Sequence, residues 1–286
     1  MGISQRSQSQ APRFVATNAI GETFTNFIEN WKLTLKLTWP WWLVQVIFLF
    51  FVGVGITLLD ESFVDSPRFD VLISALILPI SLFGAATIAV FWHRKIILNE
   101  GVHGFWAMRA DRFVWRYLLG LVFAIFGTIV VFGCTFMVMS YLGSRGFSDL
   151  YAFYFPFIFS ILLLVYFALR LAPSIVSIAV DQKPVGVRRT WVATRGSGLK
   201  LVMAYIGVAL LCTLLTIPFA FIRVGFNHFT DSEFLWIGDS LLTMVRSWVW
   251  GFATISLLTV IYKSFFIPVA SEVPRDSSSM DEPITP

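Results

Sequence analysis

Side chains able to do chemistry are few and scattered. The only histidines are His93, His103 and His228, and the first two stand ten residues apart with no carboxylate pair at ligand spacing between them. Neither an HExxH nor a CxxC pattern is present, so no zinc site is expected. Cys134 and Cys212 each lie inside an apolar run and read as small buried hydrophobes. The chain also lacks a GxSxG elbow and a P-loop lysine, which removes the commonest hydrolase and nucleotide-driven chemistries. The expectation is a protein that is not an enzyme, with no catalytic, metal-binding or cofactor-binding residue.

The remaining candidates are charged or aromatic residues at the edges of apolar runs. Arg170 closes one such run and is followed by Pro173, which removes a backbone donor and is expected to kink or end a helix. Across that kink Arg170 meets either Asp181 or lipid phosphate. Arg246 stands in the last apolar region, seven residues after Asp239 and so two turns along the same helical face. It either snorkels to the surface or sits deeper and needs a partner.

These residues must be positioned by membrane-spanning helices. Of 286 residues, 57% are hydrophobic and 13% charged, about half the charged share of an ordinary soluble domain. Six stretches are long enough to cross a hydrocarbon layer, which takes about 20 apolar residues at helical rise. They run over 41–59, 71–92, 117–142, 150–169, 201–222 and 241–262. Residues 1–23 and 267–286 are rich in Ser, Gln, Pro and charge, too polar to fold alone, and are expected to be a disordered arm and tail flanking a six-span domain at 24–266.

Orientation follows from the basic residues between spans. Those that flank the even-numbered links and the two ends include Lys32, Lys36, Arg94, Lys95, Arg112, Arg116, Arg170, Arg188, Arg189, Arg195, Lys200 and Lys263. The odd-numbered links hold only Arg68, Arg145 and Arg223 among several acids. Positive residues resist translocation, so both termini are expected on the cytosolic side. Trp31, Trp92, Trp106 and Trp191 fall at the same boundary, where an indole prefers to sit. Because the basic residues are spread through the links, the expected electrostatic partner is the anionic headgroup layer, not nucleic acid.

Three cytosolic segments, Phe24 to Thr38, Phe105 to Arg116 and Val185 to Lys200, each carry a Trp and basic residues before an odd-numbered span. Each is a candidate short amphipathic helix in the headgroup plane, which makes a threefold repeat of interfacial helix plus hairpin. Pro79 and Pro218 interrupt two spans. Interrupted helices mark binding sites in some transporters, although proline is also common in membrane helices.

Trp92-His93-Arg94 with Glu100, the stretch from Arg112 to Tyr117, Arg170-Leu171-Ala172-Pro173 to Asp181, then Trp191, Thr194, Arg195 and Gly196, and finally Tyr262-Lys263 carry a resemblance. On these residues the chain resembles a family of uncharacterised bacterial six-span inner-membrane proteins. More distantly it looks like the membrane domain fused to some bacterial glycerophosphodiester phosphodiesterases, whose catalytic domain has no counterpart here. The resemblance implies the fold and a bacterial inner membrane and carries no activity. The combined expectation is an all-α polytopic bundle whose cytosolic rim acts on lipid or a membrane-protein partner, with a small transporter or channel as the alternative.

Overall fold

Helices account for nearly all the described residues of the computed structural model, which are 14–56, 67–101, 110–143, 149–180, 184–229 and 233–267. Their order is α1 (Ala16–Glu29), α2 (Trp31–Ile56), α3 (Pro67–Leu98), α4 (Arg112–Gly143), α5 (Asp149–Val180), α6 (Val187–Ala193), α7 (Gly198–Phe229) and α8 (Glu233–Phe266). No strand occurs among them. Six are long and apolar enough to cross a membrane, over Trp31–Val52, Val71–Leu98, Arg112–Val138, Phe157–Val180, Gly198–Phe219 and Leu242–Phe266. The chain is therefore an all-α, multi-pass helical bundle.

Packing is concentrated at one end. The starts of α2, α4 and α7 meet the ends of α3, α5 and α8 there, and three clusters of buried residues form. One joins Leu169, Leu201, Ala204 and Leu257 to Ala19 of α1 and to Phe14 just before it; a second joins Ala86, Val90, Val114, Val176 and Tyr262; a third joins Leu37, Trp92 and Phe252. Toward the other end large apolar side chains face outward, among them Phe50, Phe51, Phe123, Phe126 and Met137. Such a surface suits hydrocarbon and would be strongly disfavoured in water.

Prolines do not end these helices. α2 runs through Pro40, α3 through Pro79 and α7 through Pro218, and α5 continues through a buried Pro173 to Val180. The expected end of a helix at Pro173 is thus corrected. The neighbouring serines tie this stretch to the chain that returns past it: Ser174 Oγ donates to the Val185 carbonyl at 2.9 Å and Ser177 Oγ accepts the Val185 N–H at 2.8 Å.

The N-terminal arm is shorter than its polarity suggests. Residues 16–23 belong to α1, whose Ala19 and Thr23 fall on one buried face, and Phe14, just before the helix, is buried with Ala19 against α7 and α8. Phe14 stacks on Phe265 at 5.6 Å, Ser256 Oγ donates to the Thr23 carbonyl at 3.0 Å, and Lys263 Nζ reaches Glu22 Oε1 at 2.5 Å.

The segment Phe24 to Thr38 is accordingly two pieces, the end of α1 and the start of α2, broken at Asn30. Val185 to Lys200 is helical only over α6 before α7 begins. Of Phe105 to Arg116, residues 105–109 lie outside the described residues, as do 1–13 and 268–286; from Arg112 it is helix, capped by Asp111 Oδ1, which accepts the N–H groups of Phe113 and Val114 at 3.0 Å.

Candidate functional site

Arg170 sits ten residues before the end of α5, about 15 Å along the helix at 1.5 Å per residue. It is inside the apolar window of its span and only 6% exposed. α6 folds back against it. The guanidinium Nε donates to Thr194 Oγ1 at 3.2 Å, Nη2 to the Trp191 carbonyl at 2.6 Å and Nη1 to Tyr166 OH at 3.0 Å. Its Cζ lies 3.5 Å from the centre of the Trp191 ring, a close cation–π contact, and Trp191 stacks in turn on Phe167.

The local sequence accounts for this corner. Thr194 ends α6, and Gly196 follows at φ +78°, a conformation open to glycine at no steric cost. The chain reverses there, and α7 starts at Gly198 against the Tyr166 ring, so close that a Cβ at position 198 would collide with it. Of the five guanidinium N–H groups three are used within the protein. One proton on Nη1 and one on Nη2 remain, and no carboxylate pairs with Arg170 among the described residues. Asp181, its expected partner, lies outside them.

Arg94 has the same side chain and the opposite accounting. Its Nε and Nη2 make a two-pronged pair with Glu100 at 2.8 and 2.5 Å, Nη1 donates to the Ala179 carbonyl at 3.0 Å, and the group lies over the Phe113 ring at 4.4 Å. Asn99, at φ 53°, turns the chain after α3 so that Glu100 can reach back. Arg94 thus joins the ends of α3 and α5 to the start of α4 with its charge compensated.

His93 is fully buried between α3, α4 and α8. Its Nδ1 is 2.8 Å from Thr259 Oγ1 and its Nε2 is 3.3 Å from Tyr117 OH. The Thr259 hydroxyl proton goes to the Ile255 carbonyl at 2.9 Å, so Oγ1 accepts from Nδ1–H and Nε2 accepts from Tyr117. Donor and acceptor counting thereby assigns the neutral Nδ1–H tautomer. Every member has a partner, and the arrangement cross-links three helices.

The sequence candidates therefore divide into three groups. Arg170, Pro173, Trp191 and Thr194 come together at the α5–α6 corner, with Arg195 exposed beside Thr194; Trp92, His93, Arg94 and Glu100 lie at the α3 end, with the Trp92 ring packed on Phe252 at 5.4 Å. Arg246 stands apart on α8 with an exposed side chain. Tyr166 and Thr259 are the working residues that sequence reasoning missed; Tyr166 carries the helical i, i+4 spacing to Arg170, whereas no local spacing links Thr259 to His93.

No group of three His, Cys, Asp or Glu able to hold a metal occurs among the described residues. A small cleft of about 140 Å³ opens between α2 and α3, lined by Gln45, Phe48, Ile77, Ile80 and Ser81. Neither a protein-family model, nor a curated protein, nor a solved structure matches the chain.

Proposed function

We propose that this is a non-enzymatic multi-pass protein of a bacterial inner membrane, with both termini cytosolic, whose basic end engages the anionic headgroup layer. One observation carries the reading: exposed Arg112, Arg116, Arg188, Arg189, Arg195 and Lys200 surround the packed end of the bundle. Each basic side chain near an anionic surface is worth about 1 kcal/mol. The charge asymmetry of the links supports the orientation, and the likeness to bacterial six-span proteins supports the compartment.

A small transporter or channel is the second reading, favoured by the cleft at Gln45 and Ser81. Two uncharged polar side chains are a poor lining for an ion path, so the lipid-engaging reading ranks first.

The test is mass spectrometry of lipids retained by the full chain when it is excised from its membrane in polymer nanodiscs. Anionic lipid enriched over the bulk membrane, and less enriched around an R188Q/R189Q/R195Q variant, is the expected result. Wild-type protein with the bulk lipid composition overturns the reading.

A further inference from the structure

We propose that Arg170 is the recognition element of a phosphate-oxyanion site in the corner formed by α5 and α6, with the headgroup of an anionic phospholipid as its occupant. The inference rests on the reading that this end of the bundle meets anionic lipid. It adds a specific site to a diffuse attraction.

A buried cation is costly unless an opposite charge or a full set of acceptors compensates it. Arg94 meets that requirement through Glu100. Arg170 is more deeply buried and, among the described residues, has only neutral partners: two hydroxyls, one carbonyl and the face of Trp191.

The donor inventory leaves two N–H groups of Arg170 for the missing charge. Thr194 Oγ1 and the Trp191 carbonyl, 3.4 Å apart, take the parallel Nε and Nη2 donors. Trp191 covers one face. What remains is one N–H on each of Nη1 and Nη2, two donors on a delocalised cation of the kind that recognises phosphate oxygens. A free phosphate ion and a lipid phosphodiester share this chemistry. The position of Arg170 inside an apolar span favours the ligand that partitions into the bilayer.

The experiment follows the thermal unfolding of the full chain in a neutral detergent on addition of phosphatidylglycerol, phosphatidylcholine, or sodium phosphate against sodium chloride at matched ionic strength. Phosphatidylglycerol is expected to raise the unfolding midpoint of the wild type and of the R188Q/R189Q/R195Q variant, while phosphatidylcholine leaves both unmoved. R170K keeps the charge and loses the fork, and is expected to need at least about tenfold more phosphatidylglycerol for the same shift. T194A frees the Nε donor and is expected to respond at lower lipid concentration, an effect that a purely structural arginine would not produce.

A response to phosphatidylglycerol and not to sodium phosphate assigns the headgroup; an equal, Arg170-dependent response to both assigns a free oxyanion to the same site. Equal shifts with the two lipids overturn the proposal, as does an unchanged response in a folded R170K or, should R170K not fold, in T194A. A wild type indifferent to phosphatidylglycerol beside a responsive D181N identifies Asp181 as an internal counter-ion and also overturns it. Loss of bulk lipid enrichment in the triple variant with the phosphatidylglycerol shift intact separates this site from the diffuse attraction.

Discussion

The guanidinium of Arg170 lies 3.5 Å from the centre of the Trp191 ring while donating to the carbonyl of that same residue at 2.6 Å. One side chain thereby holds the short helix α6 against the long helix α5 by both a face and an edge. The basic rim is anchored to the bundle at this point, and the chain reversal into α7 is fixed with it.

Replacing Trp191 by leucine keeps apolar bulk and removes the π face. A cation–π contact of this burial is worth about 2 kcal/mol, so W191L is expected to lose stability of that order. Reversible unfolding of the purified chain measures it. A W191F variant is expected to fall between the two.

The His93, Tyr117 and Thr259 arrangement predicts a direction for each partner. T259V leaves the buried Nδ1–H without an acceptor, at a cost of about 1–3 kcal/mol. Y117F removes the donor to Nε2 and is expected to cost less, because 3.3 Å is the longer of the two contacts. The double variant is expected to be non-additive, since both changes act on one imidazole. Simple additivity in unfolding free energy would show that the three residues do not act as a unit.

Two contacts at α1 should differ sharply in weight. Glu22 and Lys263 are 40% and 36% exposed, so E22Q is expected to change stability by less than about 1 kcal/mol. F14A removes a buried ring stacked on Phe265 and is expected to cost about 3 kcal/mol or more. Protease cleavage after the α1 residues, in detergent, should rise with F14A and hardly with E22Q.

Gly84 of α3 faces the Trp41 ring, where an added Cβ would stand 3.0 Å from its carbons. G84A forces α2 away and is expected to cost about 1–3 kcal/mol. W41A on the same background should recover part of that loss, although each change alone destabilises. Failure of this rescue would mean that the α2–α3 approach is not set by this pair.

Much of the fold was legible because the physics behind it is local. A run of about 20 apolar residues and a bias in basic residues are properties of neighbouring positions, and they placed every span within about a dozen residues of its observed helix. What the apolar run hid was how far a helix continues once its neighbours pack: α5 reaches Val180 because Pro173 is buried and Ser174 and Ser177 hold the returning chain. Over 16–23 a polar composition conceals the one packed face of α1, at Ala19 and Thr23. At the candidate site, Arg170 and Trp191 were visible as residue types, 21 positions apart. Their contact depends on the chain returning past α5 at Val185, where Ser174 and Ser177 hold it, and the link from His93 to Thr259 spans 166 positions. No local pattern encodes either.

Topology reporters fused after Asp65, Gly146, Gln182 and Asp231 in the full chain test the central claim most directly. The account predicts the first, second and fourth on the side away from the cytosol and the third within it, which leaves the basic rim with Arg170 and Trp191 facing the cytosolic headgroups. A reporter after Gln182 found outside, or any of the other three found inside, would contradict it.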